Sequence, residues 1–198
     1  MALYYYGTEL GRIGIAESNG QITDLYFEGE SVPEQVEICE TAILKEAAGQ
    51  LKAYLAGELR NFSLPLEPVG TPFMESVWRA LCHIPYGRTV SYKDIAAAVG
   101  NPKAARAVGM ANNRNPLPIF IPCHRVIGAS GALVGYGGGL AVKARLLEIE
   151  KQNLRSCKQI TWASCISSSG HLCLHFNQQI LNVTLVTSAV CFNHRSQI

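Results

Sequence analysis

"SYKDIAAAVGNPKAARAVGMA", residues 91–111, holds two short helical patterns with a break between them. Ser91 with Asp94 three residues on has the form of a capping box, in which each side chain satisfies the other's backbone N–H. Tyr92, Ile95, Ala96 and Val99 mark one face of the first helix, and Gly100 ends it. Asn101 and Pro102 read as the cap and first residue of a second helix. Two short helices joined by a three- or four-residue turn form the helix-turn-helix pattern, and the alanines allow them to cross closely. At about 100° per residue, Ala104 and Val108 share the inner face of the second helix. Arg106 points nearly opposite, with Lys103 one helical step away. A basic pair on that outer face suits a DNA groove; it equally suits a solvated surface.

Charge is unevenly spread around this stretch. Residues 1–70 carry four Lys/Arg and eleven Asp/Glu, net −7; residues 71–151 carry ten and four, net +6; residues 152–198 carry three and none, net +3. The middle segment is therefore the candidate for a polyanionic partner. Apolar residues make up 48% of the 198, enough for a packed core. "MALYYYGTELGR" lacks a basic region followed by an apolar core, and no apolar run is long enough to span a bilayer. The expectation is a cytoplasmic protein without membrane association, whose isolated cysteines are thiols rather than disulfides.

Toward the N-terminus, "GRIGIAESNGQITDLYFEG" alternates apolar and polar residues around Asn19-Gly20, a hairpin signal. Residues 33–57 read as a helix through Val36, Ala42, Ile43, Ala47, Leu51, Tyr54 and Leu55, with Gly57 as its stop. "NFSLPLEPVGTP" reads as a linker. Thr71 and Pro72 then cap and open another helix, with Phe73, Val77, Trp78 and Leu81 as its apolar side. The expected organisation is an α+β chain. A small N-terminal domain of sheet plus helix spans 1–66, and a mostly helical domain with the helix-turn-helix spans 67–153. An atypical tail spans 154–198.

Toward the C-terminus, "NRNPLPIFIPCHRVIG" places a short apolar strand, Ile119 to Ile121, before Pro122 and Cys123. A cysteine in such a run is usually an inert buried thiol. His124 and Arg125 argue otherwise, since a buried run does not tolerate them without partners, and both would lower the thiol pKa. Adjacent residues of an extended chain point to opposite sides, so a thiol–imidazole pair here needs a bridging water or a tight turn after Pro122. "LAVKARLLEIE" reads as a helix with Leu140, Val142, Leu146, Leu147 and Ile149 on one broad face. Glu150 falls near the centre of that face. It is either an acceptor for the imidazole, giving carboxylate–imidazole–thiol logic, or a solvated residue at a frayed end. The glycines of "GASGALVGYGGGL" permit close approach to a flat ligand; no Lys-Ser/Thr follows them, so they form no P-loop.

Taken together, "SYKDIAAAVGNPKAARAVGMANNRNP", "IPCHRVIG" and "GYGGGLAVKARLLEIE" closely resemble the O6-alkylguanine-DNA alkyltransferases of bacterial type. The resemblance runs without a gap from about residue 72 to 151, and residues 1–70 look like the family's more variable N-terminal domain. It implies a monomer acting on double-stranded DNA that contains O6-alkylguanine, with O4-methylthymine as a second lesion. The protein would move the alkyl group to its own cysteine in a single turnover without any cofactor. Cys123 would be the nucleophile, His124 its base through a water, Glu150 the group orienting the imidazole, and Asn115 a hinge tying the active-site turn to the helix-turn-helix. Arg106 would fill the gap left by the flipped base, with Lys103 and Ala105 also on the DNA side. Tyr92 would help rotate the nucleotide and contact or protonate the base. Val126, Tyr136 and Gly137 would line the guanine pocket. Some relatives hold zinc in the N-terminal domain; here residues 1–70 contain only Cys39 and no histidine, so no metal is expected.

Two other functions compete: a non-catalytic lesion binder, against which Cys123 argues, and a helix-turn-helix regulator with a redox thiol, which would need neither Glu150 nor the glycine loop. Beyond residue 152 the chain departs from the family. The remainder has no acidic residue but holds four of the seven cysteines and three of the five histidines. The helix carrying Glu150 is expected to end just past it, and the tail to be disordered. "HLCLH" matches no zinc spacing.

Overall fold

The computed structural model describes residues 1–158 and, beyond them, the strand pairs Cys165–Ile166 with Leu172–Cys173 and His175–Phe176 with Gln179–Ile180. Met1–Ser156 forms one compact unit. Apart from those pairs, the expectation of a disordered tail lies outside the described residues.

Four strands, β1 (Ala2–Thr8), β2 (Gly11–Ser18), β3 (Gln21–Tyr26) and β4 (Glu37–Ile38), form a sheet in the order β3-β2-β1-β4. Asn19 and Gly20 turn β2 into β3 with φ of 54° and 78°, the left-handed pair that matches strand twist in a two-residue hairpin. Helix α1 (Ala42–Leu55) packs on the sheet, burying Leu44, Ala47, Ala48, Leu51, Tyr54 and Leu55. It is shorter than expected, because the hydroxyl of Thr41 caps it by accepting the N–H of Leu44. Glu37 and Ile38 pair parallel to the β1 edge instead of turning helically, leaving Ala42 exposed. At its other end Gly57 is left-handed, and the N–H groups of Gly57 and Glu58 close back on Tyr54 and Ala53.

The expected linker is not free. Ile22 donates to the carbonyl of Pro65 at 2.8 Å and its own carbonyl accepts from Glu67 at 2.9 Å, so this segment lies along β3 and covers its edge. Thr71 then caps α2 (Pro72–Cys82), which buries Val77, Trp78 and Leu81. Trp78 Nε1 donates to the carbonyl of Ala111 at 2.9 Å, tying α2 to α4 (Ala105–Asn113).

Strand β5 (Val90–Ser91) leads into α3 (Tyr92–Ala98), whose Ser91–Asp94 capping box is present in both directions. The connection to α4 runs from Val99 to Ala104 and is longer than expected. Asn101 donates to Ala96 and Gly100 to Ala97, so Asn101 closes α3 rather than capping α4. Lys103 consequently sits in an exposed turn closed by Ala104 N–H to the carbonyl of Asn101, while Arg106 is exposed on the first turn of α4.

No strand forms at 119–121. Ile119 takes φ of 75° in a tight turn, Pro118 bridges Ile121, and Cys123–Arg125 forms one turn of 3₁₀ helix. Val126–Ile127 (β6) pairs parallel with β5. Helix α5 (Gly139–Lys158) is longer than expected, continuing well past Glu150. Its inner face passes through Lys143, Leu146, Ile149 and Glu150, which leaves Leu140 exposed.

Candidate active site

The turn before the cysteine sets the geometry. Pro122 caps the 3₁₀ turn with ψ of 60°, and this turn, not an extended strand, brings Cys123 and His124 to one buried locus. Asn115, at the end of α4, holds it: Nδ2 donates to the carbonyl of Ile121 at 3.0 Å and to Cys123 Sγ at 3.2 Å, while Oδ1 accepts from Leu117 N–H at 3.1 Å.

Glu150 is fully buried, which excludes the solvated alternative. Its Oε1 accepts from Tyr54 Oη at 2.6 Å, His124 Nε2 at 2.9 Å and Arg125 Nε at 2.9 Å. Its Oε2 accepts from Gly87 N–H at 2.6 Å. Burial works against this carboxylate, but the hydrogen bond from His124, the Arg125 guanidinium and the Tyr54 hydroxyl outweigh it and hold its pKa at about 2. Burial lowers the pKa of His124 despite the Glu150 bond, so the imidazole is neutral. With Nε2–H on Glu150, its Nδ1 is the free nitrogen, buried and without a partner among the described residues.

The thiol departs from expectation. Burial pushes Cys123 up to about 11, and the Asn115 hydrogen bond and the nearby Lys143 do not offset it. Arg125 cannot help, because its guanidinium is committed to Glu150 and to the carbonyl of Ile84 at 2.7 Å. The resting nucleophile is therefore a thiol that must lose its proton as it reacts.

Cys123 reaches a cavity of about 350 Å³ also lined by Asp24, Glu30, Asn112, Asn115 and Gly137. Tyr92 is half-buried and donates to the carbonyl of Val134 at 3.2 Å. Tyr136 stacks at a tilt on Phe27, with centroids 5.8 Å apart. A Cβ at Gly138 would lie 2.8 Å from the Phe27 ring, which is why this loop needs glycine. Val126 is fully buried, in β6. Tyr136 and Val126 are not among the residues lining this cavity. Arg106 and Lys103 are exposed and Ala105 is half-buried, and none of the three lines this cavity.

Residues 72–152 match the family described as 6-O-methylguanine DNA methyltransferase, DNA binding domain, and residues 1–68 match 6-O-methylguanine DNA methyltransferase, ribonuclease-like domain. A methylated-DNA–protein-cysteine methyltransferase of Bacillus subtilis (strain 168), described as constitutive, is 54% identical over 151 residues, 73% of this chain and 92% of the relative. The chain belongs to the 6-O-methylguanine DNA methyltransferase family. Among solved structures, Mycobacterium tuberculosis OGT in complex with DNA matches with a TM-score of 0.74 at 44% identity, covering 77% of this chain and 94% of that one. The O6-methylguanine-DNA methyltransferase of Pyrococcus kodakaraensis strain KOD1 matches with a TM-score of 0.58 at 29% identity, covering 75% and 98%.

Three groups in this methyltransferase fold escaped sequence reasoning. Tyr54 reads only as one apolar position of α1, and nothing local marks its hydroxyl as a partner of Glu150. The Gly87 N–H is backbone, invisible to side-chain patterns. Lys143 is fully buried, with Nζ donating to the carbonyls of Val134 at 2.8 Å and Gly135 at 3.4 Å. Its signal was present: residues 143, 146 and 150 share one helical face, so a lysine on that stripe required acceptors.

Proposed function

We propose that this protein repairs double-stranded DNA by moving the alkyl group of O6-alkylguanine onto Cys123 in a single turnover. The observation that carries the reading is the buried set Asn115–Cys123 and His124–Glu150 beside a cavity. One side chain holds the thiol, and a neutral imidazole anchored on an ionised carboxylate stands next to it. His124 takes the thiol proton through Nδ1 by way of a water, since no direct bond joins it to Sγ. Sγ attacks the alkyl carbon as the carbon–O6 bond breaks, and the electron pair leaves with guanine, which takes up a proton. The Asn115 Nδ2–H bond stabilises charge as it develops on sulfur. Glu150 keeps the imidazole oriented and offsets its charge.

Base flipping brings the lesion to this buried thiol. Arg106 supports extrusion, with Lys103 and Ala105 on the DNA side, and Tyr92 at the start of α3 guides the nucleotide. Gly137 lines the cavity that receives the guanine, with Tyr136 next to it in the chain and Val126 buried in β6. The division of labour follows 1–66 as the N-terminal domain and 67–153 as the DNA-binding and alkyl-accepting domain. O4-methylthymine, with the same alkyl–oxygen chemistry, is a second substrate. A reducing, cytoplasmic setting suits a thiol that must remain free. No helix among the described residues is long and apolar enough to cross a membrane.

Incubation with duplex DNA bearing O6-methylguanine, followed by intact mass measurement, tests the reading. One added methyl group per protein is expected, and an unchanged mass with intact lesion would overturn it.

A further inference from the structure

Tyr54 belongs to α1, in the N-terminal part of the chain, yet its hydroxyl meets two groups of the reaction site. The side chain is fully buried. Its ring lies edge-on to Tyr86, centroids 5.9 Å apart, and tilted on Phe62 at 5.0 Å, so the ring that carries the hydroxyl is packed from two sides. Oη donates to Glu150 Oε1 at 2.6 Å and stands 3.1 Å from His124 Nε2. Burial, then the neighbouring carboxylate, raises the phenol pKa, so the proton stays on Oη and is spent on Glu150. A lone pair of Oη is then left toward Nε2. That nitrogen faces two acceptors, Oε1 at 2.9 Å and Oη at 3.1 Å. Only the tautomer with hydrogen on Nε2 satisfies both, because a lone pair there would meet two electron-rich oxygens.

We propose that Tyr54 is a positioning residue of alkyl transfer, holding His124 in the Nε2–H tautomer so that Nδ1 is the nitrogen that receives the thiol proton. The proposal rests on the alkyltransferase reading above. During reaction the Cys123 proton moves to Nδ1, the sulfur–carbon bond forms, the carbon–O6 bond breaks, and the proton passes on to the departing guanine. While the imidazolium exists, its Nε2–H is held between Glu150 and Tyr54. The N-terminal part thus supplies one hydroxyl to the reaction site in addition to its own core.

The test uses the full chain with Tyr54→Phe, which keeps the ring and removes only the hydroxyl. Single-turnover transfer from O6-methylguanine duplex should slow about tenfold, the scale of one lost charge-assisted hydrogen bond, with DNA affinity unchanged. Nitrogen-15 spectra of the His124 ring should change from pure Nε2–H to a mixture of tautomers. In a Glu150→Gln background the same substitution should cost less than about twofold, because residues acting through one another are not additive. An unchanged rate, an unchanged tautomer signature, or equal losses in both backgrounds would overturn the role of Tyr54. If Glu150→Gln does not fold, rate and tautomer in Tyr54→Phe alone decide. A wild-type protein that transfers no methyl group would instead overturn the alkyltransferase reading, a separate result.

Discussion

The backbone N–H of Gly87 donates to Glu150 Oε2 at 2.6 Å, while Gly87 holds φ of 71°. A Cβ at this position would strike the Leu154 side chain, one helical turn beyond Glu150. The turn between α2 and β5 therefore grips α5 at two successive turns, through a hydrogen bond and through close packing.

Gly87→Ala should accordingly destabilise the protein by about 1–3 kcal/mol, the cost of a left-handed non-glycine residue, before any displacement of Leu154 is added. Thermal denaturation reads the loss. Methyl transfer should slow as well, because the strained turn and the displaced Leu154 shift the backbone N–H of residue 87 relative to Glu150. A variant as stable and as fast as the wild type would show that the Gly87 contact orders nothing.

Acid sensitivity follows from Glu150. Its folded pKa of about 2 lies below the ordinary 4.5, so the carboxylate contributes stability that is fully present above about pH 4.5. That contribution is lost as pH falls toward 2 and amounts to roughly 3 kcal/mol. Urea denaturation at a series of pH values should show this decline in the wild type and a shallower one in Glu150→Gln. Parallel curves would place the acid sensitivity elsewhere.

Cys123 should be the sole acceptor. Cys39 and Cys82 are also free thiols, but neither has an Asn115 or a His124 beside it. Peptide mapping after reaction with O6-methylguanine DNA should locate the methyl group on Cys123 alone. Cys123→Ser should accept none yet bind DNA with wild-type affinity, since Arg106 and Lys103 are exposed and line no part of the thiol's cavity. Methyl on another cysteine in the wild type would contradict the assignment.

Arg106→Ala separates extrusion from chemistry. Arg106 is exposed on α4 and does not line the cavity that Cys123 reaches. Unstacking a base costs a few kcal/mol, so repair of duplex DNA should fall by about two orders of magnitude. Reaction with free O6-benzylguanine, which needs no flipping, should change little. Equal losses on both substrates would remove the extrusion role.

What could be read from the sequence was local. The Ser91–Asp94 box, the Thr71–Pro72 helix start and the Asn19-Gly20 hairpin each act within four residues, and each is present. Glu150 stood out because a carboxylate at the centre of an apolar face requires donors. The fold departs from the sequence pattern where a residue has two possible uses. Asn101 can cap the next helix or close the previous one, and the Gly100 turn decides for closure. Arg125 can activate a thiol or neutralise a carboxylate, and Glu150 takes it. Tyr54 stayed hidden because its partner lies 96 residues away, beyond any periodic pattern.

Where the chain can be cut follows from α5. The helix continues to Lys158, and two of its residues past Glu150 are engaged. Asn153 Nδ2 donates to Tyr86 Oη at 3.0 Å, and Leu154 packs under Gly87. Tyr86 in turn stands edge-on to Tyr54, so the grip on Asn153 reaches the hydroxyl that holds Glu150. A chain ending at Lys158 should keep the melting temperature and single-turnover rate of the full protein, because every side chain given a role lies before that point. Ending at Gln152 removes Asn153 and Leu154 and should cost about 2 kcal/mol, the scale of one half-buried apolar side chain plus a hydrogen bond. Ending at Ile149 also removes Glu150, leaving Arg125 buried without its carboxylate; methyl transfer should then be lost together with the fold. Melting curves and single-turnover rates for the three truncations against the full chain decide it. Unfolding of the chain ending at Lys158 would mean that residues 159–198 belong to the structure and that the alkyltransferase fold is not complete at the end of α5.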